Sequence, residues 1–158
     1  MSEIEHSESP HELRLDLPAA HSAGRMARQM LKPFASGRGV PENEIATLEF
    51  VIGELLDNAV DHGGGGAAMD EKDLTRDVRI SLHVEIEDET WIARIGDQGG
   101  GDPADMQELI APADGLPDLE NERGRGFFLI VGMVDELRVE KSVDGLGLQF
   151  VVSHRYAT

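Results

Sequence analysis

The stretch from 78 to 95 constrains the fold more than any other. Val78, Ile80, Leu82, Val84 and Ile86 alternate with polar residues without a break, and Trp91, Ala93 and Ile95 resume the pattern beyond Asp88 and Glu89. A period of two places those apolar side chains on one face of a pleated ribbon, so the segment predicts a β-hairpin with one face to be covered. Residues 42 to 62 supply a cover: Ile45, Leu48, Ile52, Leu55, Leu56 and Ala59 fall on one stripe at intervals of three and four, the spacing of an amphipathic helix. Pro41 suits its start, and four consecutive glycines from 63 to 66 stop it.

Leu13, Leu15 and Leu17 alternate with Glu12, Arg14 and Asp16 and predict a first strand, ended by Pro18. Residues 19 to 35 read as a helix carrying Met26, Met30, Leu31 and Phe34, with Pro33 arguing for a kink or an early stop. A buried helix is expected over 127 to 134, opening just after Gly126. Leu137 and Val139, then Leu148, Phe150 and Val152, supply two closing strands. Residues 1 to 10 hold Glu3, Glu5 and Glu8 and are expected to be a disordered acidic tail before a single domain from 11 to 158. Residues 102 to 122 carry seven acidic side chains, three prolines and no basic residue, and are expected to be a long mobile connection. The order of elements is that of an α+β two-layer sandwich, its mixed, mostly antiparallel sheet covered on one face by about three helices.

Charge narrows the function. Thirty-one acidic against 14 basic side chains leave a net charge of −17, a field that repels phosphate backbones and anionic headgroups. No nucleic-acid or membrane partner is therefore expected. The chain has no cysteine, which excludes thiol and disulfide chemistry and permits the cytoplasmic location expected here. The amino-terminal residues are acidic where a secretion signal is basic and then apolar.

Three motifs carry chemistry. Glu54 and Asn58 stand four residues apart on one helix face, with Asp57 and Asp61 beside them and His62 following. Carboxylate and amide oxygens in that arrangement suit Mg²⁺, although the same spacing also describes a solvated polar face. Asp97, Gly99 and Gly101 follow a strand, where a carboxylate can accept from an exocyclic amine and glycines let backbone approach a ligand, or where a flexible hairpin exit is all that is present. Gly124, Arg125 and Gly126, next to Arg123 and Phe127, open a helix whose free amides would receive an anion or simply make a helix-start turn. No P-loop, dinucleotide fingerprint, paired metal-ligand histidines or nucleophile elbow is present.

In order, E-x-x-x-N-A-x-x-H, D-x-G-x-G and G-x-G before an apolar helix resemble the N box and the two glycine boxes of the GHKL (Bergerat-fold) ATPases. Residues 12 to 154 are similar in layout to the stand-alone anti-sigma factor serine/threonine kinases of the RsbW and SpoIIAB type, most closely in the run from Glu122 through Leu137. That resemblance implies ATP and Mg²⁺ as cofactors, a sigma factor and a STAS-domain antagonist as partners, a homodimer, and an ATP lid near 102 to 126. It implies Glu54 as general base, Asn58 as the metal ligand, and Asp97 on the adenine amino group. Gly99 and Gly101 would shape the nucleotide pocket beside Asp61 and His62, and Arg123, Gly124, Arg125, Gly126 and Phe127 would form the phosphate side. Where the family ends on a Gly-Thr pair beside the adenine, this chain has Gly147 and Leu148. That departure and the acidic lid leave a second reading, a nucleotide- or partner-binding module with little kinase activity. A third, the detached half of a histidine kinase phosphorylated on His11, lacks a helical dimerisation segment, because Pro18 ends the alternation that holds His11.

Overall fold

In the computed structural model, which describes residues 4–9 and 11–156, the hairpin and its cover form where the patterning places them. In chain order the elements are β1 (Glu5–Glu8), β2 (Glu12–Pro18), α1 (His21–Ser36), α2 (Glu42–His62), β3 (Arg79–Glu87), β4 (Thr90–Gly96), α3 (Pro103–Ile110), α4 (Glu122–Val131), β5 (Glu136–Lys141) and β6 (Leu148–Arg155). One six-stranded sheet runs β1-β2-β3-β4-β6-β5, and every strand pair in it is antiparallel. The protein is α+β, with one parallel bridge outside the named strands, between Ala20 and Ala68.

Register explains the layers. Leu15 stands opposite Leu82, Leu82 opposite Ile95 and Ile95 opposite Phe150, so a row of apolar side chains crosses the sheet beneath the helices, each at most 3% exposed. Leu48, Ile52, Leu55 and Leu56 of α2 are fully buried against this layer. The other face carries paired charges: Arg79 on Asp16 at 2.6 Å, Arg94 on Glu85 at 2.6 Å and His83 on Glu12 at 2.9 Å.

One buried polar contact ties the two layers. Glu44, in the first turn of α2, is 7% exposed and accepts a hydrogen bond from Trp91 Nε1 on β4 at 2.7 Å. Glu44→Ala leaves that indole N–H without its acceptor and is expected to cost about 1–3 kcal/mol. Glu44→Gln, which keeps an acceptor, should cost less, and urea titration of the two variants measures the difference.

Four expectations change. Residues 5 to 8 are not a disordered tail: β1 pairs along β2 with Glu5 opposite Asp16 and Leu13 opposite Glu8. An edge strand held by backbone bonds needs no apolar alternation, so composition does not reveal it; residues 1–3 and 10 of the expected tail lie outside the described residues. The acidic connection contains α3, whose start has a sequence signature: Asp102 accepts from the Ala104 amide at 2.9 Å and Pro103 opens the helix. α4 begins at Glu122, before Gly124 and Gly126, because Asn121 accepts from the Gly124 amide at 3.0 Å and sets the helix start there. With α3 included, four α-helices are present among the described residues, besides a single 3₁₀ turn at Glu71–Asp73.

Candidate functional site

The polar face of α2 and the first turn of α4 enclose a cleft of about 270 Å³. Glu54, Asn58, Asp61, His62, Arg123, Gly126 and Phe127 line it together. Asp57 and Glu122 add two more carboxylates to its wall. Glu54 and Asn58 face the same way because four residues make just over one helical turn. Arg123 and Gly126 arrive through α4, which is placed by Phe127 and Ile130. Both are buried, and the Phe127 ring lies 5.4 Å from that of Phe150 on β6. Phe127 therefore serves the core as well as the cleft wall.

The groups perturb one another. Burial raises the Glu54 carboxyl above the ordinary value of 4.5, the charge of Asp57 and then that of Glu122 add to the rise, and Arg28 opposes it. Burial lowers the imidazole pKa of His62, and the nearby Arg123 charge lowers it further. The guanidinium of Arg123 is half-buried and donates from Nε to Asn58 Oδ1 at 2.7 Å. The other half of that amide, Asn58 Nδ2, is buried with no hydrogen-bond partner.

His21 is the residue that sequence reasoning missed. It opens α1, its Nε2 lies 2.8 Å from Asp61 Oδ1 and its Nδ1 3.4 Å from Asp57 Oδ1, so it bridges the two acids across the cleft mouth. No local pattern announces it, since its partners lie 36 and 40 residues away in sequence and only the packing of α1 on α2 brings them together.

Asp97 sits beyond the C-terminal end of α2, outside this cleft. It is 5% exposed, and its Oδ1 accepts from the amides of Gly99 and Leu148, each at 3.0 Å. Gly99 is pressed against the last turn of α2: a Cβ there would lie 2.8 Å from His62 O. Gly101 borders the Leu148 side chain, so an isobutyl group stands at the position where the resembling family has a hydroxyl. Gly124 lets the backbone at Asp118 pass close to the first turn of α4, where a Cβ would meet Asp118 O at 2.5 Å. Arg125 is not brought to the cleft. It is exposed and donates to the carbonyl oxygens of Leu119 at 2.9 Å and Glu120 at 3.4 Å, fastening the preceding connection to α4.

The site thus combines a carboxylate–amide pair on α2 with a glycine-bordered acid just past the end of β4, within an α+β sandwich. Residues 17–152 match the family model of the histidine kinase-like ATPase domain, and the chain belongs to that family. Anti-sigma F factors of Geobacillus stearothermophilus and Geobacillus kaustophilus are each 27% identical to it over 135 residues, spanning 85% of this chain and 86% of theirs. Two solved structures share the fold. The SiaB-SiaC complex from Pseudomonas aeruginosa contains a chain with a TM-score of 0.64 at 14% identity, over 90% of this chain and 88% of that one. A Mycobacterium tuberculosis structure of RsbU and RsbW domains gives a TM-score of 0.56 at 19% identity over 91% of this chain, which spans only 32% of that longer chain. The resemblance to RsbW and SpoIIAB thus extends to relatives and fold alike.

Proposed function

We propose that this protein is an ATP-binding anti-sigma factor and protein serine/threonine kinase, which sequesters a sigma factor and phosphorylates a STAS-domain antagonist in the cytoplasm. The observation that carries the reading is the meeting of Glu54, Asn58 and Arg123 in one cleft, in a chain whose relatives are anti-sigma F factors. A perturbed carboxylate, a buried amide and a cation in one concavity are the positioning and electrostatic parts that phosphoryl transfer requires.

The donor set fits Mg²⁺: an amide oxygen at Asn58, with the carboxylates of Glu54, Asp57 and Asp61 lining the same cleft, is hard-oxygen chemistry. When bound, the metal neutralises charge on the phosphates. In the reaction, the antagonist's hydroxyl oxygen bonds to the terminal phosphorus as the bond to ADP breaks, and Glu54 accepts the hydroxyl proton on a carboxylate oxygen. Its raised pKa strengthens it as a base relative to an ordinary carboxylate. Arg123 would pair with the transferred phosphoryl group, and Asp97 would receive the adenine amine.

The alternative, a binding module with little kinase activity, is favoured by one observation: Leu148 supplies only its backbone amide to Asp97, so the base loses a hydroxyl contact. Incubation with terminally labelled ATP, Mg²⁺ and a purified STAS-domain protein separates the two. Label transferred to serine or threonine of that protein supports the kinase. Tight Mg²⁺-ATP binding without transfer to any such substrate, alongside capture of a sigma factor, leaves the binding module. An exposed apolar stripe on α4, Phe128, Leu129 and Val131, is available to a protein partner.

A further inference from the structure

The Arg123 guanidinium lies 6.0 Å from the centroid of the Phe127 ring and feels the charge of Asp97 without forming an ion pair with it. It makes one hydrogen bond, to a neutral amide oxygen, and no ion pair among the described residues, although the cleft around it holds Glu54, Asp57, Asp61 and Glu122 and the chain as a whole is at −17. A half-buried guanidinium with one neutral acceptor keeps its other donors open to the cleft. Its partner is under-satisfied, since Asn58 Nδ2 is buried with nothing to donate to. Rotating the amide does not cure this, because a flip would set Nδ2 against the donating Nε of Arg123. The orphan therefore persists for as long as Arg123 stays on Asn58.

We propose that Arg123 acts as an internal cation on Asn58 Oδ1 and thereby makes the cleft selective for a metal–nucleotide complex over either component alone. The inference rests on the reading of Asn58 as the Mg²⁺ ligand. Two cations sharing one oxygen repel, so Arg123 must leave Asn58 before a metal is held there. A metal ion by itself would displace Arg123 among Glu54, Asp57, Asp61 and Glu122, where it competes with the metal for the same carboxylates. A metal-free polyphosphate would draw Arg123 away and leave Asn58 Oδ1 unpaired beside four carboxylates that repel the newcomer. A metal–polyphosphate complex supplies both missing partners in one event: a cation for Asn58 and an anion for Arg123.

Calorimetric titration tests this with three probes, Mg²⁺ alone, ATP in EDTA and Mg²⁺-ATP, on the wild type, Arg123→Ala and Arg123→Lys. Far-UV circular dichroism establishes that each variant is folded. In the wild type, Mg²⁺ should raise ATP affinity strongly while binding weakly by itself. In Arg123→Ala, Mg²⁺ alone should bind about tenfold tighter, and the factor by which Mg²⁺ enhances ATP binding should drop by a similar amount. Arg123→Lys should recover part of that enhancement. The side-chain amide resonances of Asn58, identified by their loss in Asn58→Asp, should move with Mg²⁺-ATP far more than with either component. The proposal is overturned if Arg123→Ala weakens ATP in EDTA and Mg²⁺-ATP by one common factor and leaves Mg²⁺ alone unchanged, since Arg123 is then an ordinary phosphate ligand. Wild-type protein that binds no Mg²⁺-ATP at all rejects the kinase reading and this inference together, a result distinct from the first.

Discussion

Glu54→Gln is expected to reduce phosphotransfer roughly 10²- to 10⁴-fold, the usual span for a lost general base, while leaving Mg²⁺-ATP affinity within a few-fold of wild type. The same change should make the protein more stable at neutral pH. Burial, Asp57 and Glu122 raise the Glu54 carboxyl above 4.5, which means that the folded state prefers the protonated acid. Stability gained from that preference is complete below the unfolded-state value and is lost as pH rises through the higher folded-state value. At neutral pH an ionised Glu54 is thus a liability that the neutral amide removes at nearly constant shape. Urea titrations across pH should show the two proteins converging in the acid range and the variant ahead above it, and the acid limb of the wild-type rate profile should lie above that of an ordinary carboxylate. Undiminished transfer in Glu54→Gln would assign the base to another group.

What the sequence revealed and what it hid divide along contact distance. α2 runs from 42 to 62 as its apolar stripe requires, and the hairpin turns at Asp88 and Glu89 as the alternation requires, because both signals are written in residues within one or two turns of each other. Glu54 and Asn58 share that advantage, since one helix holds both. Contacts between distant segments leave no such trace. Arg123 meets Asn58 across 65 residues and Asp97 meets Leu148 across 51, and neither pairing follows from periodicity. The family resemblance assigned Arg123 to the phosphates, but only the packing of α4 on α2 reveals that it holds the proposed metal ligand. α3 is a different kind of omission. Its cap, Asp102, and its first residue, Pro103, were legible, and the density of acids and prolines around them outweighed that signal. β1 shows the limit of composition itself, because a polar edge strand is stabilised by main-chain bonds that any side chains permit.

Adding one methyl group at two glycines should move the protein in opposite directions. Gly147→Ala is expected to destabilise it by about 1–3 kcal/mol or more, the range for overpacking a well-filled site, and to abolish most nucleotide binding. A Cβ at this position would lie 2.3 Å from Asp97 Oδ1 and 2.4 Å from Asp97 O. Retreat is blocked on both sides: the Gly147 amide donates to Ser142 Oγ at 2.9 Å, and its carbonyl accepts from the Ser142 amide at 2.9 Å. Asp97 is pinned as well, its amide donating to Leu148 O at 2.9 Å and its Oδ1 accepting from Leu148 N. Something in this knot must shift, and whichever strand end gives way, the carboxylate proposed to receive the adenine amine is displaced. Gly24 provides the counterpart. It lies within α1, and a Cβ there would meet nothing within 4 Å, so Gly24→Ala should stabilise the protein by up to about 1 kcal/mol through helix propensity and reduced unfolded-state entropy. Urea midpoints of both variants, with ATP titrations at a temperature where each is folded, test the pair. Full ATP affinity in a folded Gly147→Ala protein would show that the base binds elsewhere than against Asp97.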